Sequence, residues 1–157
     1  MTELLQALET SALSTWLRES PSIWAYPTIL TLHTVGLGVL VGANWMVDLR
    51  VLGFARAIPG SVLTRAFPTM WAGFWLNAVT GALLFVGDPI KGTTAVFMWK
   101  LVMVGAGVAL IIALKRRLYG REMEADAAAS AGVKAIAATS LVLWIAAIGA
   151  GRWMAYV

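Results

Sequence analysis

The chain has 157 residues, of which 60% are hydrophobic and 13% are charged, and its mean hydropathy is +0.80. Because soluble globular domains carry about 25% charged residues, this composition excludes an ordinary soluble domain. The lack of cysteine excludes disulfides, thiolate metal sites and iron–sulfur clusters. The basic residues behind the net charge of +4 cluster in two loops rather than on one aromatic-rich face, so no nucleic-acid partner is predicted.

Residues 3–18 predict an amphipathic helix, because leucines, alanines and Trp16 recur at helical spacing while Glu3, Gln6 and Glu9 fill the other face. The pattern favours a helix lying in the membrane interface with Trp16 as its anchor. A helix packed on the end of a bundle is equally compatible with it. The N-terminus lacks the basic start and apolar core of a cleaved signal peptide.

Four apolar stretches follow, each long enough for the roughly 20 residues that a membrane crossing needs. They are predicted at about 22–47, 67–87, 94–115 and 134–155. A broken loop at 55–67 and a tight turn at 87–92 separate them, and the alanine-rich segment 122–131 is expected to extend a helix beyond the membrane. The fold predicted for 1–157 is a single all-α domain, a polytopic membrane four-helix bundle with an N-terminal interfacial helix.

The loops predict the orientation of the bundle. Eight basic residues follow the first and third spans, against three on the opposite side. By the positive-inside rule the former loops face the cytoplasm of a bacterial inner membrane, and both termini face the periplasm. The eight are Arg50, Arg56, Arg65, Lys115, Arg116, Arg117, Arg121 and Lys134; the three are Arg18, Lys91 and Arg152.

Four polar residues fall inside the apolar stretches, all towards the outer side. They are His33, the only histidine of the chain, with Asn77, Lys100 and Arg152. On its own, Lys100 fits a snorkelling side chain, Arg152 an interface anchor, and Asn77 or His33 a hydrogen bond between helices. Ionisable residues within a membrane are nevertheless costly and mark function, and the shared depth of these four predicts a common site.

A haem b suits this set of residues. His33 is the candidate metal and axial ligand, while Lys100 and Arg152 are placed to neutralise the propionates. Gly36, one turn from His33, either leaves room for a flat macrocycle or serves helix contact. With one histidine, the sixth ligand is Met98, is absent, or comes from another subunit. Electron transfer or haem handling is the predicted function, in a homo-oligomer or larger membrane complex.

Three other interpretations stay open. Copper is one, with Met98 and Met154 as soft ligands beside His33. An ion permease with a path lined by His33, Asn77 and Lys100 is another, and a non-catalytic assembly subunit is the third. The sequence contains no catalytic dyad, nucleophile elbow or phosphate loop, so an enzyme is not favoured.

Small residues recur every fourth position on two spans, at Thr34, Gly38 and Gly42 and at Gly73, Asn77 and Gly81. This spacing is typical of closely packed membrane helices, so both stripes are predicted to pack in the bundle. Asp48 and Arg50 mark the other end of the first span. Each is expected to pair with another helix or with lipid headgroups and to have a structural role.

Four short motifs carry a resemblance over nearly the whole chain: Leu32-His33-Thr34-Val35-Gly36, Asp48-Leu49-Arg50-Val51-Leu52-Gly53, Trp99-Lys100-Leu101 and Gly151-Arg152-Trp153-Met154-Ala155-Tyr156. The chain thereby resembles an uncharacterised family of bacterial four-helix integral membrane proteins. It is also loosely similar to copper-resistance D proteins, which are richer in metal ligands, and to four-helix b-type cytochromes, which carry paired histidines. The resemblance singles out His33, Lys100 and Arg152.

Overall fold

A computed structural model of the chain describes residues 2–119, 129–154 and 156, and in these ranges it contains α-helices, one 3-10 turn and no strand. Four of the helices are long and apolar enough to cross a membrane, as judged by their length and composition, which confirms the four predicted apolar helices. The helices are α1 (Thr2–Glu9), α2 (Ala12–Glu19), α3 (Tyr26–Leu52), α4 (Gly60–Gly87), α5 (Ala95–Tyr119) and α6 (Ala131–Trp153), with the 3-10 turn at Lys91–Thr93. Most of the predicted extension at 122–131 lies outside the described residues.

The helix α3 is the centre of the bundle. It packs along both α4 and α6, and α5 packs mainly on α6. Neighbouring helices are antiparallel, since His33 meets Gly81 of α4 while Leu40, two turns later, meets Gly73. We call the end at which α3 and α5 begin the terminal end, and the opposite end, which carries the 53–59 loop, the loop end.

Local sequence explains where the long helices start and stop. Pro27 occupies the first turn of α3, where its missing N–H costs nothing, and Gly53 ends that helix with a left-handed φ of 95°. The predicted loop at 55–67 was wrong in its second half, because α4 already begins at Gly60, after Pro59. Pro68 therefore lies inside α4 rather than at its start.

The predicted single helix over 3–18 was wrong: the segment forms two helices of eight residues, α1 and α2. The break falls at Thr10 and Ser11, because the Ser11 side chain accepts a hydrogen bond from the Ser14 backbone N–H at 3.2 Å and so caps α2. The α2 helix packs on α4 at the terminal end, where Leu17 is buried against Gly87. The Ser14 hydroxyl also donates to the Gly87 carbonyl at 3.4 Å.

Two glycines set the distance between α3 and α4. A Cβ atom on Gly36 would lie 2.7 Å from the Asn77 backbone nitrogen, and one on Gly73 would lie 2.6 Å from the Leu40 backbone nitrogen. These separations are shorter than any van der Waals contact, so only glycine fits at either position. The predicted stripe that runs from Gly73 through Asn77 is thereby confirmed as a packing surface.

The other predicted stripe does not pack within the described chain. Gly38 and Gly42 are exposed, and a Cβ atom on either would meet nothing within 4 Å. Thr34, on the same face, is exposed as well and donates its hydroxyl to the Leu30 carbonyl of its own helix at 2.9 Å. The prediction that this stripe packs in the bundle was wrong, because α3 presents its opposite face to α4.

These contacts predict that an alanine substitution has opposite effects on stability at the packed and at the open glycines. Gly36→Ala and Gly73→Ala lower the free energy of unfolding by about 1–3 kcal/mol, because the added methyl group meets backbone that cannot yield. Gly38→Ala and Gly42→Ala are the matched controls, and they raise it by about 0.5–1 kcal/mol because alanine favours helix. Unfolding of the detergent-solubilised protein by heat or by SDS measures both. Equal stability of Gly73→Ala and Gly42→Ala would contradict the close contact.

Candidate functional site

The His33 imidazole is anchored to α4 through Nδ1. This nitrogen lies 3.0 Å from the Asn77 backbone carbonyl oxygen and 3.2 Å from the Thr80 hydroxyl oxygen. Both atoms are acceptors here, because a carbonyl has no proton and Thr80 donates its own to the Leu76 carbonyl at 2.6 Å. Nδ1 therefore carries the proton of the neutral ring, and Nε2 keeps its lone pair.

Asn77 returns a hydrogen bond to α3. Its side-chain amide donates to the His33 backbone carbonyl at 2.8 Å. The amide nitrogen is also 3.3 Å from Nδ1 and 3.4 Å from Nε2, so it lies beside the ring rather than on the axis of either lone pair. Gly81 makes room for this arrangement, since a Cβ atom there would be 3.1 Å from Cε1 of His33. The two helices thus hold the imidazole from both sides.

Lys100 joins this site from α5. Its side chain is half-buried, and its Nζ would lie 3.6 Å from a Cβ atom on Gly151 of α6. Lys100 and His33 are within electrostatic range of each other, but no hydrogen bond joins the two side chains in the described ranges. Within the described ranges no carboxylate lies within 4 Å of Lys100, as the ion pairs found there join Arg18 to Glu9 and Lys91 to Asp88.

The structure does not bring all the predicted residues together. Met98 is 55% exposed, and it lies on the other side of α5 because residues two apart on a helix do not share a face. Arg152 is exposed near the end of α6, next to the glycine that Lys100 packs on. Gly36 is buried against α4 backbone, so of its two interpretations the structure shows helix contact and not room for a macrocycle.

Thr80 is a partner of His33 that was not among the predicted site residues, although it follows Asn77 by three positions and so shares its helix face. A separate cleft of about 180 Å³ lies nearer the loop end and is purely apolar. Most of that volume is open to solvent, and the enclosed part, about 10 Å³, has room for about one water molecule and not for a ligand. The cleft is lined by Leu40, Met70, Trp71, Phe74, Val108 and Ile111.

A second polar cluster, which sequence reasoning missed, lies towards the loop end. The Asn44 amide donates to Asp48 Oδ2 at 2.6 Å and to Ser140 Oγ of α6 at 2.8 Å. All three side chains are buried. Asp48 thus pairs with its own helix and, through Asn44, with α6, whereas Arg50 donates its Nε to the Ile58 carbonyl at 2.9 Å. The available signal was the i, i+4 spacing of Asn44 and Asp48 in an otherwise apolar helix.

The described residues contain no group of three His, Asp or Glu side chains that is able to hold a metal ion. Any metal at His33 therefore has fewer than three ligands of these types from the described residues. The iron of a haem is already bound by four nitrogens of the macrocycle and needs few ligands from the protein. A bare metal ion has no such ligands and needs more of them from the protein.

The hydrogen bonds of His33 predict its tautomer. In the neutral imidazole the proton is on Nδ1, because both neighbours of that nitrogen are acceptors. Nitrogen NMR of protein labelled with ¹⁵N-histidine checks this directly, since His33 is the only histidine. The spectrum is recorded at a pH where the ring is neutral, and Thr80→Val is the control that removes one acceptor while the Asn77 carbonyl stays. A proton found on Nε2 contradicts the assigned geometry.

Comparison of the chain with protein-family models, with curated proteins and with solved structures finds no match in any of the three.

Proposed function

We propose that the protein is an integral protein of a bacterial inner membrane that its four long helices cross. The support comes from the surface of the bundle, where large apolar side chains point outward on every long helix. Examples that are more than half exposed are Val79, Val102, Val142 and Ile145. A helix that is apolar on all sides needs a buried or lipid environment.

The terminal end has the aromatic side chains of a membrane interface. Trp24, Trp99 and Trp153 are each more than 60% exposed there. Tryptophan concentrates at the headgroup level, so these residues would place the terminal end at one surface of the bilayer. The α1 and α2 helices, which pack on the end of α4, would then lie in that interface. The excess of basic residues at the loop end supports a cytoplasmic position for it.

Cysteine accessibility tests this orientation, since the natural chain has no cysteine. In intact spheroplasts, Thr93→Cys in the turn between α4 and α5 reacts with a membrane-impermeant maleimide. Ala57→Cys in the loop between α3 and α4 reacts only after permeabilisation. Both side chains are exposed, which makes the two variants matched. The reverse pattern would overturn the orientation, and labelling of both in intact cells would overturn the membrane crossing between them.

We further propose that this membrane protein binds haem b through Nε2 of His33 and works in electron transfer or haem handling. The observation that carries this proposal is the anchored Nδ1. Histidine ligands of metals characteristically donate their other ring N–H to a carbonyl or carboxylate, which fixes both tautomer and orientation. His33 has this arrangement, and its Nε2 has only the long contact of 3.4 Å to the Asn77 amide. When bound, haem supplies one-electron redox chemistry at the iron.

Two cations support a haem rather than an uncharged ligand. Lys100 is near His33 and has no carboxylate within 4 Å in the described ranges. A carboxylate brought by a ligand would pair with its ammonium in a partly desolvated place, where charge-assisted hydrogen bonds are strong. Arg152, exposed at the same end of the bundle, would bind a second carboxylate near the aqueous surface.

The described residues would hold a haem through one iron ligand of this chain, His33. Asn77 and Thr80 hold the ring of His33, while the space at Gly36 is filled by α4, so a planar group would reach His33 on its exposed part. Met98 points away from this position, which leaves the sixth ligand absent or supplied by another copy or subunit. Association of a different kind, which would not reach the iron, is supported by the open stripe formed by Thr34, Gly38 and Gly42 on the opposite face of α3, a surface suited to another helix.

An ion permease would need polar residues that continue from His33 along α3, and they do not continue in the described chain. From His33 towards the loop end, the next residues on the same face are Gly36, in contact with Asn77, and Leu40, which is 2% exposed and packs on Gly73. These apolar contacts separate His33 from Asn44 by about 16 Å along the helix at about 1.5 Å per residue. A polar path between α3 and α4 is thus interrupted within the described residues.

An optical spectrum of the purified protein tests the haem proposal. The wild-type protein, purified with haem or reconstituted with hemin, is expected to show a Soret band, and His33→Ala to lose it. Met98→Leu is the matched control and keeps the band because that side chain faces outward. Lys100→Gln keeps the band but weakens hemin affinity by about fivefold, which corresponds to about 1 kcal/mol for a partly exposed charge pair. A folded wild-type protein that stays colourless with hemin sinks the proposal.

A further inference from the structure

The cluster of Asn44, Asp48 and Ser140 is separate from the site at His33. Asp48 follows His33 by 15 residues on α3, which is about 22 Å along the helix at about 1.5 Å per residue. It lies on the side of α3 that faces α6, where Ser140 meets Asn44 at 2.8 Å. Asp48 is 0% exposed, Asn44 1% and Ser140 1%. These are the most deeply buried polar groups of the α3–α6 contact.

A count of donors and acceptors shows what the cluster lacks. Both donor hydrogens of the Asn44 amide are used, one on Asp48 Oδ2 and one on Ser140 Oγ. Two acceptors remain without a hydrogen-bond partner, Oδ1 of Asn44 and Oδ1 of Asp48. Both are buried, and a buried acceptor without a donor is destabilising. The remaining donor of the cluster, the Ser140 hydroxyl, interacts with the Asp48 carboxylate, but it has only one hydrogen, so at least one of the two free oxygens lacks a donor.

The charge of Asp48 also has no partner in the described part of the chain. On its own helix, Arg50 is directed to the Ile58 carbonyl. The basic residues of the neighbouring helices near this end are Arg65 of α4 and Lys134 of α6, both exposed, and Lys115 of α5, half-buried. None of them forms a salt bridge with Asp48 in the described ranges. An unpaired carboxylate in such surroundings would cost several kcal/mol.

We propose that Asn44 and Asp48 form a proton-binding site, in which Asp48 takes up one proton on Oδ1 and is held as the neutral carboxylic acid. The step adds H⁺ to the carboxylate and breaks no bond. It removes the unpaired charge, and it converts Oδ1 of Asp48 from an acceptor without a partner into a donor, for which the free Oδ1 of Asn44 would be the acceptor. One proton thus meets both deficits of the cluster.

A proton fits the cluster better than a metal cation does. Hard cations take about six oxygen ligands, whereas the cluster offers the two free Oδ1 atoms and the hydroxyl of Ser140. The described residues also contain no second acid near Asp48 to complete a cation site. A proton needs one basic oxygen and one acceptor, and the cluster has one of each.

Infrared spectroscopy of the full-length protein in lipid nanodiscs tests the proposal. At neutral pH the wild-type protein is expected to show the carbonyl stretch of a protonated carboxylic acid. The band shifts in D₂O and when the protein is labelled with ¹³C-aspartate. It disappears in Asp48→Asn, which keeps the shape of the neutral acid and is expected to leave the thermal midpoint of unfolding unchanged. Asp88→Asn, at a half-exposed aspartate of the α4–α5 turn, is the matched control and keeps the band.

Other outcomes overturn the inference. A folded wild-type protein without the band at neutral pH shows that Asp48 is ionised. A band that weakens as NaCl replaces an organic cation at fixed pH shows that a metal ion, and not a proton, is the preferred occupant. If Asp48→Asn does not fold, the ¹³C-aspartate shift in the double variant Asp88→Asn/Asp126→Asn, whose one remaining aspartate is Asp48, still decides whether that side chain is protonated.

Discussion

The backbone contact between α3 and α4 at Gly36 and Gly73 is the constraint on which the His33 site depends. With a Cβ position on Gly36 only 2.7 Å from the Asn77 nitrogen, no other residue allows the helices this close. His33 lies one turn away, and its Nδ1 reaches the Asn77 carbonyl at 3.0 Å. Hydrogen bonds weaken steeply once donor and acceptor separate beyond about 3.5 Å, so a small outward shift of α4 would release the imidazole.

The buried side of α3 is divided between two partners. Towards the terminal end, His33 forms its hydrogen bond with α4. Nearer the loop end, Asn44 forms a hydrogen bond with Ser140 of α6, and Asp48 belongs to the same cluster. Between them Leu40 packs on the Gly73 backbone, which is an apolar contact. The two clusters therefore have separate surroundings. In the first, Nε2 of His33 has a lone pair without a short hydrogen bond, and in the second, buried oxygen atoms lack a hydrogen-bond donor.

The long helices were predictable because they depend on length and the absence of charge, properties that the sequence states directly. The packing stripe through Gly73 and Asn77 followed from its spacing of four. Which glycines face outward did not follow, because α3 is apolar on all sides and has no amphipathic pattern to orient it. The burial of Asp48 was also not predictable from the sequence. A carboxylate near Arg50 at a helix end fits contact with lipid headgroups as well as contact with another helix, and only the position of Ser140 on α6 decides between the two.

The geometry of α3 also separates two explanations for an oligomer. At 100° per residue, the stripe of Thr34, Gly38 and Gly42 is centred about 170° from the face that His33 and Gly36 present to α4. A second copy docked on that stripe would therefore approach α3 from the side opposite His33 and would have no ligand to offer to a metal bound there. Helix association through the open glycines and completion of a haem site by a partner are thus distinct events, which require different surfaces of the same helix.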